Sequence, residues 1–323
     1  MAYPSIGLAL IEGREDPKRT LETIERAEQR GVRMVWATLG PRTPDAPTLL
    51  AAAAARTSRV GLGTAIVPTY PRHPVVLATQ ALVLARLAPD RVRIGIGPSH
   101  RSIVQQMFGL PMGNPLEHLR EYATILRRLL WDGHAEFEGR YYTVHLTMDQ
   151  IARVPIYFSA LRPGAFELAG ELADGAISWL CPLDYLRDHA VPALQRGAER
   201  AGHDVPRLVA QVPVVMTTDR EVMLKVASSQ ISHYTRLPYY AAMFARAGFD
   251  LNSRGGAPSE LIDQLVVWGN EKQIQERLAH LIGSGIDELA LNLISATDLT
   301  REEERLAQIV AQLDLPSASI GGT

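Results

Sequence analysis

The feature of this 323-residue sequence that most limits its fold is a regular alternation of short apolar runs with amphipathic stretches. The runs are rich in β-branched and small residues and end near Gly, Pro or Asp, which predicts strands. The stretches between them place apolar residues at helical spacing. Eight strands are predicted, at residues 5–10, 34–37, 60–67, 92–96, 155–160, 176–180, 208–217 and 288–294. Strands that alternate with helices in this number predict an α/β fold, the (β/α)8 TIM barrel.

A doubly wound parallel sheet is the competing fold. That fold places a G-x-G-x-x-G motif directly after its first strand, and no such motif follows residues 5–10. Residues 237–265 carry aromatics and glycines without a clean period, so we interpret them as an insertion after the seventh strand. A small hairpin outside the main sheet is predicted over residues 135–144. We therefore predict one domain over residues 1–315 and a flexible tail at residues 316–323.

Charge and cysteine content limit the class of protein. A formal net charge of −2 gives no reason to expect a nucleic acid or an anionic membrane as partner. Cys181 is the single cysteine, which excludes an internal disulfide and a cysteine-built metal site. No apolar run approaches the ~18 residues of a membrane span, and the N-terminus lacks a basic region before its apolar run. These features predict a cytoplasmic protein.

In a TIM barrel the chemistry lies at the carboxyl ends of the strands, which we call the barrel mouth. The predicted mouth is mostly apolar, aromatic or small, and it has no pair of carboxylates, no metal-ligand cluster and no lysine. Gly97-Pro98-Ser99 does not match the G-x-S-x-G elbow of serine hydrolases. Such a mouth predicts a flat organic cofactor that brings its own reactivity.

Three segments carry a resemblance to a known family: LGTAIVPTYPRHP at 62–74, RIGIGPSH at 93–100, and PIYFSALRPGAFELAGELADGAISWL at 155–180. Together they resemble the bacterial luciferase-like superfamily, and within it the branch of oxidoreductases that depend on the deazaflavin coenzyme F420. The resemblance implies a TIM barrel with an insertion after the seventh strand. It also implies FMN or F420 at the barrel mouth and a homodimer.

The same resemblance assigns cofactor-binding residues. Ala65-Ile66 matches a position where many members hold a non-prolyl cis peptide against the ring, the alternative being a trans strand with a plain bulge. Residues 159–165 match the turn that cradles the cofactor phosphate, where a helix N-terminus favours an anion. The implied cofactor-binding residues are Thr64, Ala65, Ile66, Gly97, Pro98, Ser99, Ala160, Leu161, Arg162, Gly164 and Ala165.

His100 lies where the sugar-phosphate-oxidising relatives carry a glutamate proton donor. A histidine with an ordinary pKa of about 6.5 exchanges protons at neutral pH, so His100 is the predicted catalytic residue. Binding a phosphate and capping the next helix are its alternative roles. Trp179 and Tyr239 are predicted to line the substrate side. The second strand reads Ala37-Thr38 where relatives often have an acidic residue and a histidine, so no catalytic role is transferred there.

The sequence thus predicts an oxidoreductase that transfers a hydride between F420 and a small, apolar or aromatic organic substrate. The main alternative is an FMN-dependent monooxygenase that takes electrons from a separate reductase. A barrel that only binds a ligand, without catalysis, is the third reading. No metal is predicted.

Overall fold

The fold is taken from a computed structural model, which describes residues 5–11, 16–38, 43–249, 251, 256–282 and 284–314. The described strands are β1 (Ile6–Ile11), β2 (Met34–Thr38), β3 (Gly61–Thr64), β4 (Val67–Pro68), β5 (Val92–Gly97), β6 (His134–Glu138), β7 (Thr143–Thr147), β8 (Ile156–Ser159), β9 (Gly175–Trp179), β10 (Arg207–Val215), β11 (Val267–Trp268) and β12 (Glu288–Leu293).

Eight of these described strands form a closed parallel barrel in chain order: β1, β2, β3, β5, β8, β9, β10 and β12. β9 pairs with β10, β10 pairs with β12, and β12 pairs with β1, so the sheet has no free edge at this point. β4 extends the ladder of β5 and β11 extends that of β10. The TIM-barrel prediction is confirmed, because a doubly wound sheet would remain open.

The described helices are α1 (Pro17–Gln29), α2 (Ala46–Arg56), α3 (Pro74–Leu87), α4 (Pro115–Arg127), α5 (Pro163–Leu172), α6 (Leu183–Tyr185), α7 (Val191–Ala201), α8 (Arg220–Ile231), α9 (Pro238–Arg246), α10 (Ser259–Leu265), α11 (Glu271–Ile282) and α12 (Leu299–Leu313). Many begin as the sequence predicts, with a proline in the first turn and a capping side chain before it. Asp16 and Asn114, for example, accept backbone N–H groups of α1 and α4.

The hairpin of β6 and β7 lies outside the barrel, as predicted. It is antiparallel, and Phe137 pairs with Val144. Ala135 and Val144 face the protein, whereas Glu136, Glu138 and His145 on the other face are exposed.

The structure corrects several boundaries. The third predicted strand is split into β3 and β4 by the segment Ala65-Ile66. Residues 237–265 contain two short helices, α9 and α10, which the sequence analysis missed because nine and seven residues are too few for a clear period. Residues 219–236 have the pattern of one helix, but α8 ends at Ile231. The connection between β5 and α4 contains a π-helical turn, Ile103–Met107. The predicted tail at 316–323 lies outside the described residues.

A charged cluster fills the amino-terminal half of the barrel interior. Glu288, the first residue of β12, is fully buried. Its Oε1 accepts the Trp36 Nε1–H at 2.7 Å, and its Oε2 accepts from Arg93 Nη1 at 2.6 Å. Burial raises the pKa of Glu288, and the positive charge of Arg93 opposes that rise. Because this cluster lies at the end opposite the mouth, it belongs to the stability of the barrel.

Candidate functional site

Side chains from four strands form what we call the floor of the mouth. Successive side chains of a strand point in and out in turn. Trp36, Ile177, Val209 and Ala290 belong to one buried cluster in the barrel interior. The residues two positions further along these strands therefore face the same space at the mouth. The floor consists of Thr38, Trp179, Gln211 and Asn292.

One hydrogen bond supports this placement. The Thr38 hydroxyl donates to Gln211 Oε1 at 2.9 Å, although β2 and β10 are separated by two strands in the barrel. Such a bond is possible only if both side chains point inward. Gln211 and Asn292 are almost entirely buried, at 6% and 3% exposure.

The β5 strand ends in a tight turn at the mouth. A Cβ on Gly97 would lie 2.1 Å from Ser159 Oγ, so a larger residue does not fit between β5 and β8. The Gly97 carbonyl accepts the Thr69 N–H at 2.9 Å. Ser99 adopts the left-handed conformation, with φ of 62°, and Pro98, Ser99 and His100 are half-buried.

The segment between β3 and β4 lies beside this turn. The peptide bond between Ala65 and Ile66 is cis, as the family resemblance implied. Ala65 is buried in the interior cluster, and Ile66 packs on that cluster while staying half-exposed. The Thr64 hydroxyl donates to the Gly95 carbonyl and accepts the Gly95 N–H, both at 2.9 Å. Ile66 is therefore the side chain of this segment best placed to touch a ligand.

The turn between β8 and α5 presents a helix N-terminus at the mouth. Ala165 and Phe166 donate their N–H groups to the Arg162 carbonyl at 2.9 and 3.2 Å. Pro163 has no N–H, so among the described residues the Gly164 N–H is the amide of this first turn that is left for a ligand. Gly164 is exposed, as such a role requires.

The flanks of this turn are fixed by neighbouring elements. The Tyr185 hydroxyl donates to the Leu161 carbonyl at 3.0 Å, and Ala160 donates its N–H to Ile177. The exposed Arg162 guanidinium stacks on Tyr239 of α9, with its Cζ 4.9 Å from the ring centroid. Tyr239 therefore lies beside the β8–α5 turn, and its predicted contact with substrate stays a prediction.

His100 lies in an aromatic cluster that closes the mouth between β5 and β9. Its ring centroid is 5.9 Å from that of Tyr240 and 6.4 Å from that of Tyr234. The Trp179 ring is 6.1 Å from Tyr234. Burial, assisted by the positive charge of His233, lowers the pKa of His100. The backbone carbonyl of His100, and not its ring, accepts the Val104 N–H of the next turn, which leaves the ring available.

A buried hydrogen-bonded chain supports the β5 turn from behind. The Thr69 hydroxyl donates to the Gly97 carbonyl at 3.3 Å, so it can only accept from His118 Nδ1, 3.4 Å away. Neutral His118 then accepts at Nε2, where the Tyr142 hydroxyl lies at 2.8 Å. Tyr70 stacks on the His118 ring at 3.8 Å. Through Tyr142, the outer hairpin is thus linked to the mouth.

The hydrogen-bonded chain through His118 predicts how the free energy of unfolding depends on pH. Burial lowers the pKa of His118 to about 4, below the ~6.5 of an unfolded chain. Between these values the unfolded state binds the proton more readily, so the free energy of unfolding decreases as the pH falls from about 6.5 to about 4. We expect His118→Asn to reduce this slope, measured as the urea midpoint against pH. An unchanged slope would show that His118 titrates normally.

The structure brings together the three groups of predicted residues: the segment 64–66, the turn 97–100 and the turn 160–165. Their binding roles stay predictions. Arg72, His73 and Pro74 form the start of α3: Arg72 pairs with Asp45, and His73 Nδ1 accepts the Val75 N–H. In the described part of the chain no group of three potential metal ligands is found, and no helix is long and apolar enough to span a bilayer.

Sequence reasoning did not single out Gln211, Tyr70 or His118, although the strand-end rule does select Asn292. The sequence does contain a signal for the first of these. Gln211 interrupts the otherwise apolar run of β10 on the same face as Val209, so a polar residue was to be expected inside the barrel. Nothing local marks His118, because its partners come from segments far apart in the chain.

Comparison with known proteins places these features in a family. A family model described as "Luciferase-like monooxygenase" matches residues 4–288. The 5,10-methylenetetrahydromethanopterin reductase of Methanopyrus kandleri is 23% identical over 98% of this chain and 99% of its own. The F420-dependent glucose-6-phosphate dehydrogenase of Nakamurella multipartita is 36% identical over 58% of each chain.

A solved structure shows the same fold over almost the whole chain. It is an F420-dependent secondary alcohol dehydrogenase in complex with an F420-acetone adduct, and it superposes with a TM-score of 0.79. The match covers 95% of this chain and 98% of that one, at 19% identity.

Proposed function

Because the chain belongs to the luciferase-like monooxygenase family and is an oxidoreductase of that family, we propose that its cofactor is F420. The substrate of the proposed reaction is a small, apolar or aromatic molecule. The observation that carries the proposal is the meeting of the β5 turn, the β8–α5 turn and Ile66 at one end of the barrel. Curated relatives named F420-dependent glucose-6-phosphate dehydrogenase support this choice of cofactor.

The residues present fit such a cofactor. Ile66 offers an apolar surface at the mouth, on which a flat ring can rest. The Gly164 N–H and the Arg162 guanidinium offer two donors to a phosphate at the start of α5. The described residues of the β8–α5 turn, 160–165, include no carboxylate that would repel an anion. Gly97, Pro98 and Ser99 border the same space from β5.

When bound, F420 supplies a site that accepts or donates a hydride. The protein then has to move one proton and to exclude water. His100 is neutral near pH 7 because burial lowers its pKa. In substrate oxidation its imidazole accepts the proton of the substrate hydroxyl or equivalent group, and in reduction the imidazolium returns it. Tyr234 and Tyr240 lie beside this ring, Trp179 packs on Tyr234, and together these aromatic side chains keep bulk water away.

The walls of the mouth indicate the class of substrate. Among the described residues, the aromatic cluster around His100 carries no carboxylate, and burial raises the pKa of the Tyr240 phenol. A cationic substrate would find no negatively charged partner there. The aromatic walls therefore favour an apolar or aromatic molecule over a cation. A homodimer, which the family resemblance implies, is part of the proposal, and so is the cytoplasmic location that the composition predicts.

An FMN-dependent monooxygenase is the second candidate, because the description of the matching family names that activity. The β8–α5 turn would hold the FMN phosphate in the same way. The two candidates differ in which cofactor binds tightly.

Direct binding separates these candidates. We expect purified protein to quench F420 fluorescence with a dissociation constant in the micromolar range or lower, about −8 kcal/mol or better. FMN should bind at least about tenfold more weakly, a difference of roughly 1.4 kcal/mol. Tight FMN binding without F420 binding would reject the proposal in favour of the monooxygenase. Binding of neither would favour the barrel without catalysis.

A further inference from the structure

The side chain of Asn292 is buried at the mouth, and its Nδ2 has no hydrogen-bond partner in the part of the chain that the structure describes. Asn292 lies near the carboxyl end of β12 and is 3% exposed. Its Nδ2 is closed to solvent and, among the described residues, has no acceptor. No hydrogen bond to its Oδ1 is found in this part of the chain either. A buried amide N–H without an acceptor lowers the stability of the fold. We therefore expect a ligand to supply the acceptor.

The amide faces the mouth. Asn292 lies on the same side of β12 as Ala290 and Glu288, and both of those residues point into the barrel: Ala290 belongs to the interior cluster, and Glu288 bonds to Trp36. On the neighbouring β10, the Gln211 amide is held through its Oε1 by Thr38, which turns its Nε2 away from Thr38. The floor therefore offers two carboxamides on adjacent strands.

Asn292 also lies across the mouth from the turns that follow β5 and β8. In the closed order of the eight barrel strands, β12 is four positions from β5 and three from β8, so it lies across the barrel from both of these strands. A ring whose phosphate is held beside β5 and β8 has its other end near β12. Asn292 is thus placed to contact the ring edge furthest from the tail.

A carboxamide offers one acceptor and two donors, so its best partner presents both an N–H and a carbonyl oxygen side by side. A ketone oxygen would leave the Asn292 Oδ1 without a donor. The imide edge of a pyrimidinedione, C=O next to N–H, satisfies both halves. Flavins and deazaflavins share this edge. Building on the proposed function, we propose that Asn292, with Gln211 beside it, binds the imide edge of the deazaflavin ring.

The test uses the tail-less deazaflavin riboside FO and a derivative methylated at the imide nitrogen, N3. Binding to the full-length protein is measured by fluorescence quenching. We expect Asn292→Leu, an apolar replacement of similar size, to weaken FO binding at least about tenfold. Wild type should bind N3-methyl FO at least about tenfold more weakly than FO. The Asn292→Leu variant should bind the two ligands equally.

Stability measurements separate a binding role from a structural one. Removing an unsatisfied buried amide should leave the melting temperature of Asn292→Leu unchanged or higher, while affinity falls. Asn292→Ala serves as a second variant, and Gln308→Leu, an exposed amide on α12, as the matched control with wild-type affinity. Unchanged FO binding by the Asn292 variants, or equal binding of FO and N3-methyl FO by wild type, overturns the inference while F420 binding still supports the proposed function. Failure of wild type to bind F420 and FO overturns both.

Discussion

Replacing Glu288 by alanine is expected to lower the free energy of unfolding by about 3–5 kcal/mol. The substitution removes the carboxylate that accepts from Arg93 at 2.6 Å and from Trp36 at 2.7 Å, all inside the closed barrel. The Arg93 guanidinium then loses its carboxylate in a site where its side chain is 9% exposed. The desolvation cost of that charge is no longer offset by its partner.

The measurement is urea denaturation of Glu288→Ala beside a surface control. Glu276→Ala removes an exposed partner of Lys272 on α11, and should change the free energy of unfolding by less than about 1 kcal/mol. The double variant Glu288→Met with Arg93→Met should be more stable than Glu288→Ala, because no buried charge is left behind. If Glu288→Ala lowers the free energy of unfolding no more than Glu276→Ala does, the charged cluster contributes nothing specific to stability.

Replacing His100 by alanine is expected to reduce kcat by about 10²–10⁴-fold. F420 affinity should change by less than about twofold, since the ring lies among aromatic side chains and the phosphate donors belong to α5. Steady-state turnover and fluorescence titration measure the two quantities on the same preparation. Turnover that survives with unchanged affinity would remove His100 from the proton-transfer step.

The direction of the His100 pKa shift predicts how activity depends on pH. The pKa of His100 is lowered by burial and then by His233, so the neutral base persists below the ordinary value of about 6.5. In substrate oxidation, activity should therefore fall only when the pH drops below this lowered pKa. His233→Gln removes the neighbouring positive charge and should move that acidic limit to higher pH. A limit that does not move would show that His100 is not the titrating group.

The barrel was predictable because its signals are local. Each apolar run such as 208–217 carries its own strand pattern, and prolines such as Pro74 and Pro163 mark helix starts within a few residues. The helices α9 and α10 were missed because their length is near the minimum for a visible period. The break at Ala65-Ile66 was anticipated from the family resemblance and not from the strand pattern.

The site was predictable in part for the same reason. His100 and Arg162 come shortly after strands. The carboxyl ends of the strands share one end of a parallel barrel, independently of the loop conformations, so both residues could be placed there. The contact of Arg162 with Tyr239 joins residues 77 positions apart in the sequence, and the chain from Tyr142 to Gly97 joins the hairpin to β5. Such pairings depend on how whole elements pack, which no local pattern of residues encodes.

The antiparallel hairpin also has a consequence for contacts between molecules. Eight described strands of the barrel close into a ring, whereas the hairpin of β6 and β7 has no further strand on either side in the described part of the chain. Glu136, Glu138 and His145 stand exposed along it. Charged side chains on an edge discourage the addition of a strand from another chain. These charged side chains thus protect the β6–β7 hairpin against aggregation.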